Sequence, residues 1–137
     1  MMIIRQMKKG DLSRIKPRFD VAPPCDRSSD WSWTMEEDGV VLAIFGVAKM
    51  WGRVGHVWGM VSDDIRHKYG LSMVKYLRSL QKARMAVGDL DRLQAYVYGP
   101  NSDENSRFAV LCGLEYECTM EKAGPDGTDL HCFKIMR

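Results

Sequence analysis

The chain lacks several features that would assign it to a specialised class of protein. Its longest apolar run, at 40–48 (VVLAIFGVA), is far too short to span a bilayer. No two of its four cysteines form a C-x-x-C pair, and its three histidines show no ligand spacing, so we expect no metal site. Twenty basic and eighteen acidic residues leave a net charge of +2, which argues against nucleic-acid binding by charge alone.

What remains is an ordinary globular composition. Apolar residues make up 45% of the chain and charged residues 28%. The 137 residues suit one domain with its own core, so we predict a single domain over 1–137. Free thiols in a reducing compartment are the simplest interpretation of the cysteines, and we expect a cytoplasmic protein that does not enter membranes.

The first half of the sequence predicts a short strand, a brief helix and an antiparallel meander. A strand at 2–4 precedes a helix at 12–16 for which Asp11 is the expected N-cap. The proline and serine pairs within 20–30 are typical of a loop. Two glycine-containing turns then separate three strands, at 31–35, 40–50 and 56–62.

The second half alternates helices with strands. Apolar residues recur at three- and four-residue steps up to Val87, which predicts an amphipathic helix over 73–87. Its outer face carries Lys75, Arg78 and Lys82, either as a solvated face or as a contact surface for an anionic partner. The remaining predicted elements are a strand at 93–98, a helix at 103–111 stopped by Gly113, and a hairpin of strands at 114–121 and 129–136.

The predicted order is therefore β-α-β-β-β-α-β-α-β-β. Because a helix joins the fourth strand to the fifth, we predict that these two strands are parallel neighbours. The fold class is α/β, with a mixed and mostly antiparallel sheet flanked by helices. In such sheets ligands bind at the carboxyl ends of the parallel strands, which is where we expect the site.

The stretch 61–74 (VSDDIRHKYGLSMV) lies at that position, between the fourth strand and the long helix. A helix N-terminus offers unpaired N–H donors and the positive end of the macrodipole, so it suits a phosphate. Asp63 or Asp64 would equally serve as a plain cap for the same helix. The residues leave both interpretations open.

The element order and two segments resemble the GNAT superfamily of acyl-CoA-dependent N-acetyltransferases. The first segment is 4–12 (IRQMKKGDL), and the second is 101–115, where Asn101 precedes a helix that contains Asn105 and ends at Gly113. The chain also resembles small GNAT-like proteins of tailed phages, the internal virion protein A group. That likeness rests on Trp58-x-x-Val61-Ser-Asp63, on 96–101 (YVYGPN) and on Arg107-Phe108 with Gly113.

The resemblance implies acetyl-CoA as acyl donor, no metal, and two diverging parallel strands that hold the cofactor. The family's phosphate-binding segment runs Val, a short loop, Arg or Gln, two residues, Gly, one residue, then Gly or Ala. Counted from Val61, Arg66 takes the basic position, and Tyr69 and Leu71 stand where small residues belong.

A second register lies one residue further along. It places His67 in the basic position and Gly70 and Ser72 in the small positions, with Arg66 and Lys68 at the side. In this register the small residues let the backbone approach a phosphate closely, but the positive charge at the basic position is weaker.

The resemblance also implies further cofactor contacts. Backbone N–H groups of Met60 and Val61 would hold the thioester oxygen. Asn101 and Asn105 would bond the pantetheine or adenosine part of CoA, although Asn101 suits a turn or N-cap equally well.

The catalytic residues are harder to identify. The family's acid, a tyrosine four residues before the motif's glycine, is replaced here by Ala109. The substitutes are Tyr98 as acid, His56 as a group that titrates near neutral pH, and Asp63 as base. Each has a plainer interpretation: Tyr98 as a packed strand aromatic, His56 as a surface group at a strand end, and Asp63 as a helix cap.

Two functions from different classes remain. The first is an N-acetyltransferase-like enzyme that transfers an acyl group to a small amine or a protein amino group. The second is a GNAT-fold protein without catalysis, acting as a structural or interaction protein with other phage virion proteins and located in the virion. Binding of acetyl-CoA distinguishes the two.

Overall fold

The computed structural model describes residues 1–15, 31–62, 70–87 and 89–137. Within these ranges the elements follow the predicted order. The strands are β1 (Met2–Gln6), β2 (Ser32–Glu37), β3 (Val40–Trp51), β4 (Val54–Val61), β5 (Arg92–Val97), β6 (Glu115–Met120) and β7 (Leu130–Met136). The helices are α1 (Asp11–Arg14), α2 (Gly70–Ala86) and α3 (Ser102–Leu111).

The strands form one seven-stranded sheet in the order β1-β2-β3-β4-β5-β7-β6. Only β4 and β5 pair in parallel among these neighbours, and every other pair is antiparallel. The prediction of parallel fourth and fifth strands is confirmed, as is the mixed, mostly antiparallel α/β fold. The physical reason is that a chain which crosses back through α2 returns to the sheet in the same direction.

The ends of two helices test the capping predictions. The Asp11 prediction is wrong: Gly10, at φ 95°, occupies the N-cap position and Asp11 is the first helical residue. The Asp11 carboxylate instead accepts hydrogen bonds from Arg5, from the Thr34 hydroxyl and from the backbone of Lys8. The stop at Gly113 is confirmed. It has φ 94°, and its N–H and that of Leu114 return to carbonyls of the last turn of α3.

The core lies on both faces of the sheet. On one face, α2 and α3 pack against Phe45, Val57 and Leu93 in the larger apolar cluster. On the opposite face, Ile15 just after α1 packs with Ile44 and Trp58 in a smaller cluster. Because side chains alternate along a strand, Val57 faces α2 while its neighbours His56 and Trp58 face the other way.

Gly46, in the middle of β3, lies where neighbouring backbone leaves no room for a side chain. A Cβ there would lie 2.6 Å from the carbonyl oxygen of Trp31 and 3.0 Å from the Cα of Ser32. We expect Gly46→Ala to lower the free energy of unfolding by about 2 kcal/mol, since backbone cannot move aside cheaply. Chemical denaturation measures it. Gly59→Ala in β4 is the matched control, because its Cβ would meet Phe45 at an ordinary 3.7 Å. Equal losses in the two variants would contradict the prediction.

Candidate functional site

A gap opens between β4 and β5 at the carboxyl ends of the two parallel strands. Their pairing runs from Val54 and Arg92 only as far as His56 and Gln94. Beyond that point β4 continues to Val61, still paired with β3, while β5 continues to Val97, paired with β7. The two strands therefore diverge, as the predicted fold requires.

The peptide groups along β4 face this gap in alternation. The N–H of Ser62 donates to the carbonyl of Leu42 on the β3 side, at 2.9 Å. Since successive peptide N–H groups point to opposite sides of a strand, the N–H of Val61 points into the gap and that of Met60 points toward β3. The predicted donors Met60 and Val61 therefore point in opposite directions, and only the Val61 N–H faces the gap. The N–H of Gly59, which the sequence did not single out, faces the gap as well.

Helix α2 is the next described element after β4 and begins at Gly70. A Cβ added at Gly70 would meet nothing within 4 Å, so the space around the first residue of this 17-residue helix is open. Leu71 is 82% exposed and does not fill the gap, and Ser72 is exposed as well. Four other predicted site residues lie outside the described residues: Asp63, Arg66, His67 and Lys68.

The start of α3 reaches the same edge of the sheet, because α3 follows β5 as α2 follows β4. Tyr98 comes directly after β5 and is half-buried. Asn101 occupies the N-cap position of α3, but its side chain makes no capping hydrogen bond. Asn105 lies one turn into the helix, also half-buried, and its backbone N–H donates to the Asn101 carbonyl. Both asparagines thus lie in the first turn of α3 or just before it, and the Asn101 side chain does not cap the helix.

His56 lies at the point where the strands part, on the face away from α2. It is 2% exposed, and its Nδ1 has no hydrogen-bond partner among the described residues. Burial lowers its pKa to about 4, so the imidazole is neutral at neutral pH. The expectation that His56 titrates near neutral pH does not hold, and its interpretation as a surface group is wrong. Both fail because the side chain is buried on this face of the sheet, where the Tyr96 ring lies at a centroid distance of 5.1 Å.

Tyr96, which contacts His56 at the start of the gap, was not among the candidate site residues that the sequence predicted. It belongs to an alternating series on one face of β5, in which the Arg92 Nε donates to the Gln94 Oε1 and the Gln94 Nε2 donates to the Tyr96 Oη, each at 2.9 Å. Arg92 in turn binds both carboxylate oxygens of Glu117 at 2.8 Å and holds the pKa of that carboxyl at about 2. The available signal was the spacing of polar residues 92, 94 and 96, which share one face of a strand.

Ala109, at the position of the family's acid, lies on the buried face of α3 and is 6% exposed. Helix α3 therefore supplies no phenol at this position. Among the described residues, no group of three or more His, Cys, Asp or Glu side chains is arranged to hold a metal ion. Nor is any helix in the described ranges long and apolar enough to cross a bilayer.

Comparison with known proteins finds likeness at the level of structure. No family model matches the sequence, and no curated protein matches it. The GNAT-family acetyltransferase from Streptococcus pneumoniae has a TM-score of 0.73 at 14% identity, with 99% of each chain covered. These values show that the two proteins share a fold.

Two larger structures match over part of their length. The GNAT-family acetyltransferase from Bacillus anthracis has a TM-score of 0.63 at 15% identity, with 77% of this chain and 65% of that one covered. The microcin C7 self-immunity acetyltransferase MccE, solved in complex with acetyl-CoA and AMP, has a TM-score of 0.63 at 13% identity, with 77% of this chain and 60% of that one covered. This chain spans less than two thirds of either protein. The resemblance to the GNAT fold is confirmed, while the resemblance to the phage group stays a prediction.

Proposed function

We propose that the protein is an acyltransferase that uses acetyl-CoA and acylates an amine, either a small molecule or a protein amino group, in the cytoplasm. The observation that carries the proposal is the gap between β4 and β5 at the carboxyl ends of these parallel strands. The N-terminus of α2, the next described element after β4, has open space around Gly70 among the described residues. The fold shared with GNAT acetyltransferases supports the same reaction class.

The cofactor would enter from the carboxyl ends of the strands. Its pyrophosphate suits the N-terminus of α2 around Gly70 and Ser72, where peptide N–H groups and the macrodipole favour anions. Arg66, His67 and Lys68 would add positive charge there. Asn101 and Asn105 would bond polar groups of the pantetheine or adenosine.

The pantetheine arm carries amide groups and is extended, so it suits an unpaired strand edge. The side of β4 that faces the gap presents the peptide groups of Gly59 and Val61, and a bound arm would pair with them as a peptide strand does. The thioester would then reach the point where β4 and β5 part, with the Val61 N–H directed into the same space.

The chemistry requires a neutral amine, a stabilised tetrahedral oxyanion and a protonated leaving sulfur. Asp63 remains our proposed base. Tyr98 and the neutral His56 are the proposed groups around the reacting atoms. Of these two, His56 lies at the parting point of the strands, and Tyr98 lies at the end of β5.

Acetyl-CoA should raise the melting temperature of the protein. At about one hundred times its dissociation constant, a ligand that binds only the folded state stabilises it by roughly 2.7 kcal/mol. Gly70→Trp should abolish the shift, because the indole would fill the space at the start of α2, where a Cβ meets none of the described residues within 4 Å. Ala86→Trp, at the exposed far end of the same helix, is the matched control and should keep the shift.

The alternative function is a GNAT-fold interaction protein without catalysis, such as a phage virion component. The buried Ala109 at the family's acid position favours it. Absence of any shift at millimolar acetyl-CoA in the unmodified protein would decide for this alternative. A shift that survives Gly70→Trp would leave binding intact but move the phosphate site away from α2.

A further inference from the structure

The hydrogen bonds around Tyr96 fix the direction in which its hydroxyl donates. A guanidinium has only donors, so the Arg92 Nε must meet the oxygen of the Gln94 amide. The amide nitrogen is thereby turned toward Tyr96 and donates to its Oη at 2.9 Å. The phenolic oxygen is the acceptor in that bond. Its own hydrogen is therefore left to be donated elsewhere.

The Arg92 anchor is held firmly. Glu117 of β6, which lies beyond β7 in the sheet, receives two parallel hydrogen bonds from the Arg92 guanidinium, a geometry that is stronger and more specific than a single bond. Gln94 is itself buried, so its amide has little freedom to turn over. The series Glu117, Arg92, Gln94, Tyr96 therefore orients the phenol from the edge of the sheet inward.

Tyr96 also lies in the right place. The pairing of β4 with β5 ends at Gln94, and Tyr96 is the next residue on the same face of β5. Its ring lies against His56 of β4, at the point where the gap begins. Burial raises the pKa of Tyr96, so the group stays a phenol, which is the form that donates a proton.

The geometry points to Tyr96 as the proton donor to the departing sulfur, with Gln94 as its positioning residue, an inference that rests on the proposed transferase function. The amine nitrogen forms a bond to the thioester carbon, and the carbon–sulfur bond breaks with its electron pair on sulfur. Tyr96 gives its hydrogen to that sulfur and yields the CoA thiol. The phenolate then takes the proton that the acylated nitrogen releases, so the enzyme returns to its starting state.

The test needs no acceptor, because CoA and desulfo-CoA, in which hydrogen replaces the thiol, differ only at the sulfur. Titration calorimetry at about pH 9, where a thiol with a pKa near 8.5 is largely ionised, measures both affinities. We expect the unmodified protein to bind CoA about tenfold more tightly than desulfo-CoA, as a hydrogen bond to a charged group allows. The preference should shrink at about pH 6, where the thiol is protonated.

Tyr96→Phe should reduce the CoA preference to about one at both pH values. Gln94→Glu should do the same although the phenol remains, because a carboxylate has only acceptors and draws the phenolic hydrogen toward itself. A purely structural role for Gln94 would weaken both ligands equally and leave their ratio unchanged. Tyr116→Phe, on exposed β6, is the matched control and should keep the unmodified ratio.

The outcomes separate this inference from the function on which it rests. If Tyr96→Phe binds CoA with the unmodified preference, Tyr96 is not the donor, while the transferase proposal stands. If Gln94→Glu alone keeps the preference, the positioning role of Gln94 is overturned. If the unmodified protein binds neither ligand, the transferase proposal has failed and the Tyr96 assignment falls with it.

Discussion

Replacing Asp11 with Asn is expected to lower the free energy of unfolding by roughly 3 kcal/mol or more. Asp11 is 2% exposed, and its carboxylate receives hydrogen bonds from Arg5 at 2.7 and 3.0 Å and from Thr34 at 2.9 Å. Removing one partner of a buried ion pair leaves the other charge without compensation, which typically costs about 3–5 kcal/mol. Glu36 also binds Arg5 and keeps the loss toward the lower end of that range.

Chemical denaturation at neutral pH measures this loss. Asp38→Asn is the matched control, since Asp38 is exposed and pairs only with the N-terminal amine in the described part of the chain, at 3.4 Å. We expect it to change the free energy of unfolding by less than about 0.5 kcal/mol, as exposed ion pairs do. Comparable losses in the two variants would mean that the buried contacts of Asp11 carry no special weight.

The same carboxylate makes the fold sensitive to acid. Hydrogen bonds from Arg5 hold the pKa of Asp11 well below its usual range. Asp11 is therefore protonated at a lower pH in the folded state than in the unfolded state. The contribution of Asp11 is therefore fully present above about pH 4, near the unfolded pKa, and is lost as the pH falls below it. In Asp11→Asn this part of the acid sensitivity should be missing.

His56→Phe is expected to remove a second, distinct pH dependence. In the folded protein burial lowers the pKa of His56 to about 4, against about 6.5 when the chain is unfolded. Between these values the unfolded state binds a proton that the folded state does not bind, so stability falls as the pH falls. The total loss from neutral pH to about pH 4 is roughly 3 kcal/mol, because each pKa unit corresponds to about 1.4 kcal/mol.

Phenylalanine keeps an aromatic ring against Tyr96 but cannot take a proton. Unfolding free energies at about pH 7 and about pH 4.5 should therefore differ less in His56→Phe than in the unmodified protein, by roughly 2.4 kcal/mol. His131→Phe, on β7, replaces a half-buried histidine that bonds Thr119 and should retain the unmodified difference. A pH dependence that persists in His56→Phe would show that another group unfolds the protein in acid.

The sequence predicted the element order because periodicity and turn residues are local signals. The parallel pairing of β4 with β5 followed from a rule of connection, and the stop at Gly113 followed from the glycine's tolerance of positive φ. The functional-site residues depend on contacts that local patterns do not encode. Asp11 looked like a helix cap because its true partner Thr34 lies 23 residues away.

His56 and Tyr96 show the same limit at the candidate site. Alternation along a strand tells which face a side chain takes, but not which residue of the next strand lies beside it. The burial of His56 depends on the parallel register that places it opposite Gln94, with Tyr96 one step further on. The sequence does not specify that register, so the shifted pKa and the polar series of β5 could be identified only from the three-dimensional structure.

The short pairing of β4 with β5 also has a mechanical meaning. Strands β1 to β4 and strands β5 to β7 each form a continuous half-sheet, and the stretch from Val54–Arg92 to His56–Gln94 is the seam between them. An extended molecule lodged in the gap would lengthen that seam and tie the two halves together. The rigidity of the whole sheet would then depend on whether a ligand occupies the gap. Ligand binding would therefore change the rigidity even of strands that do not contact the ligand.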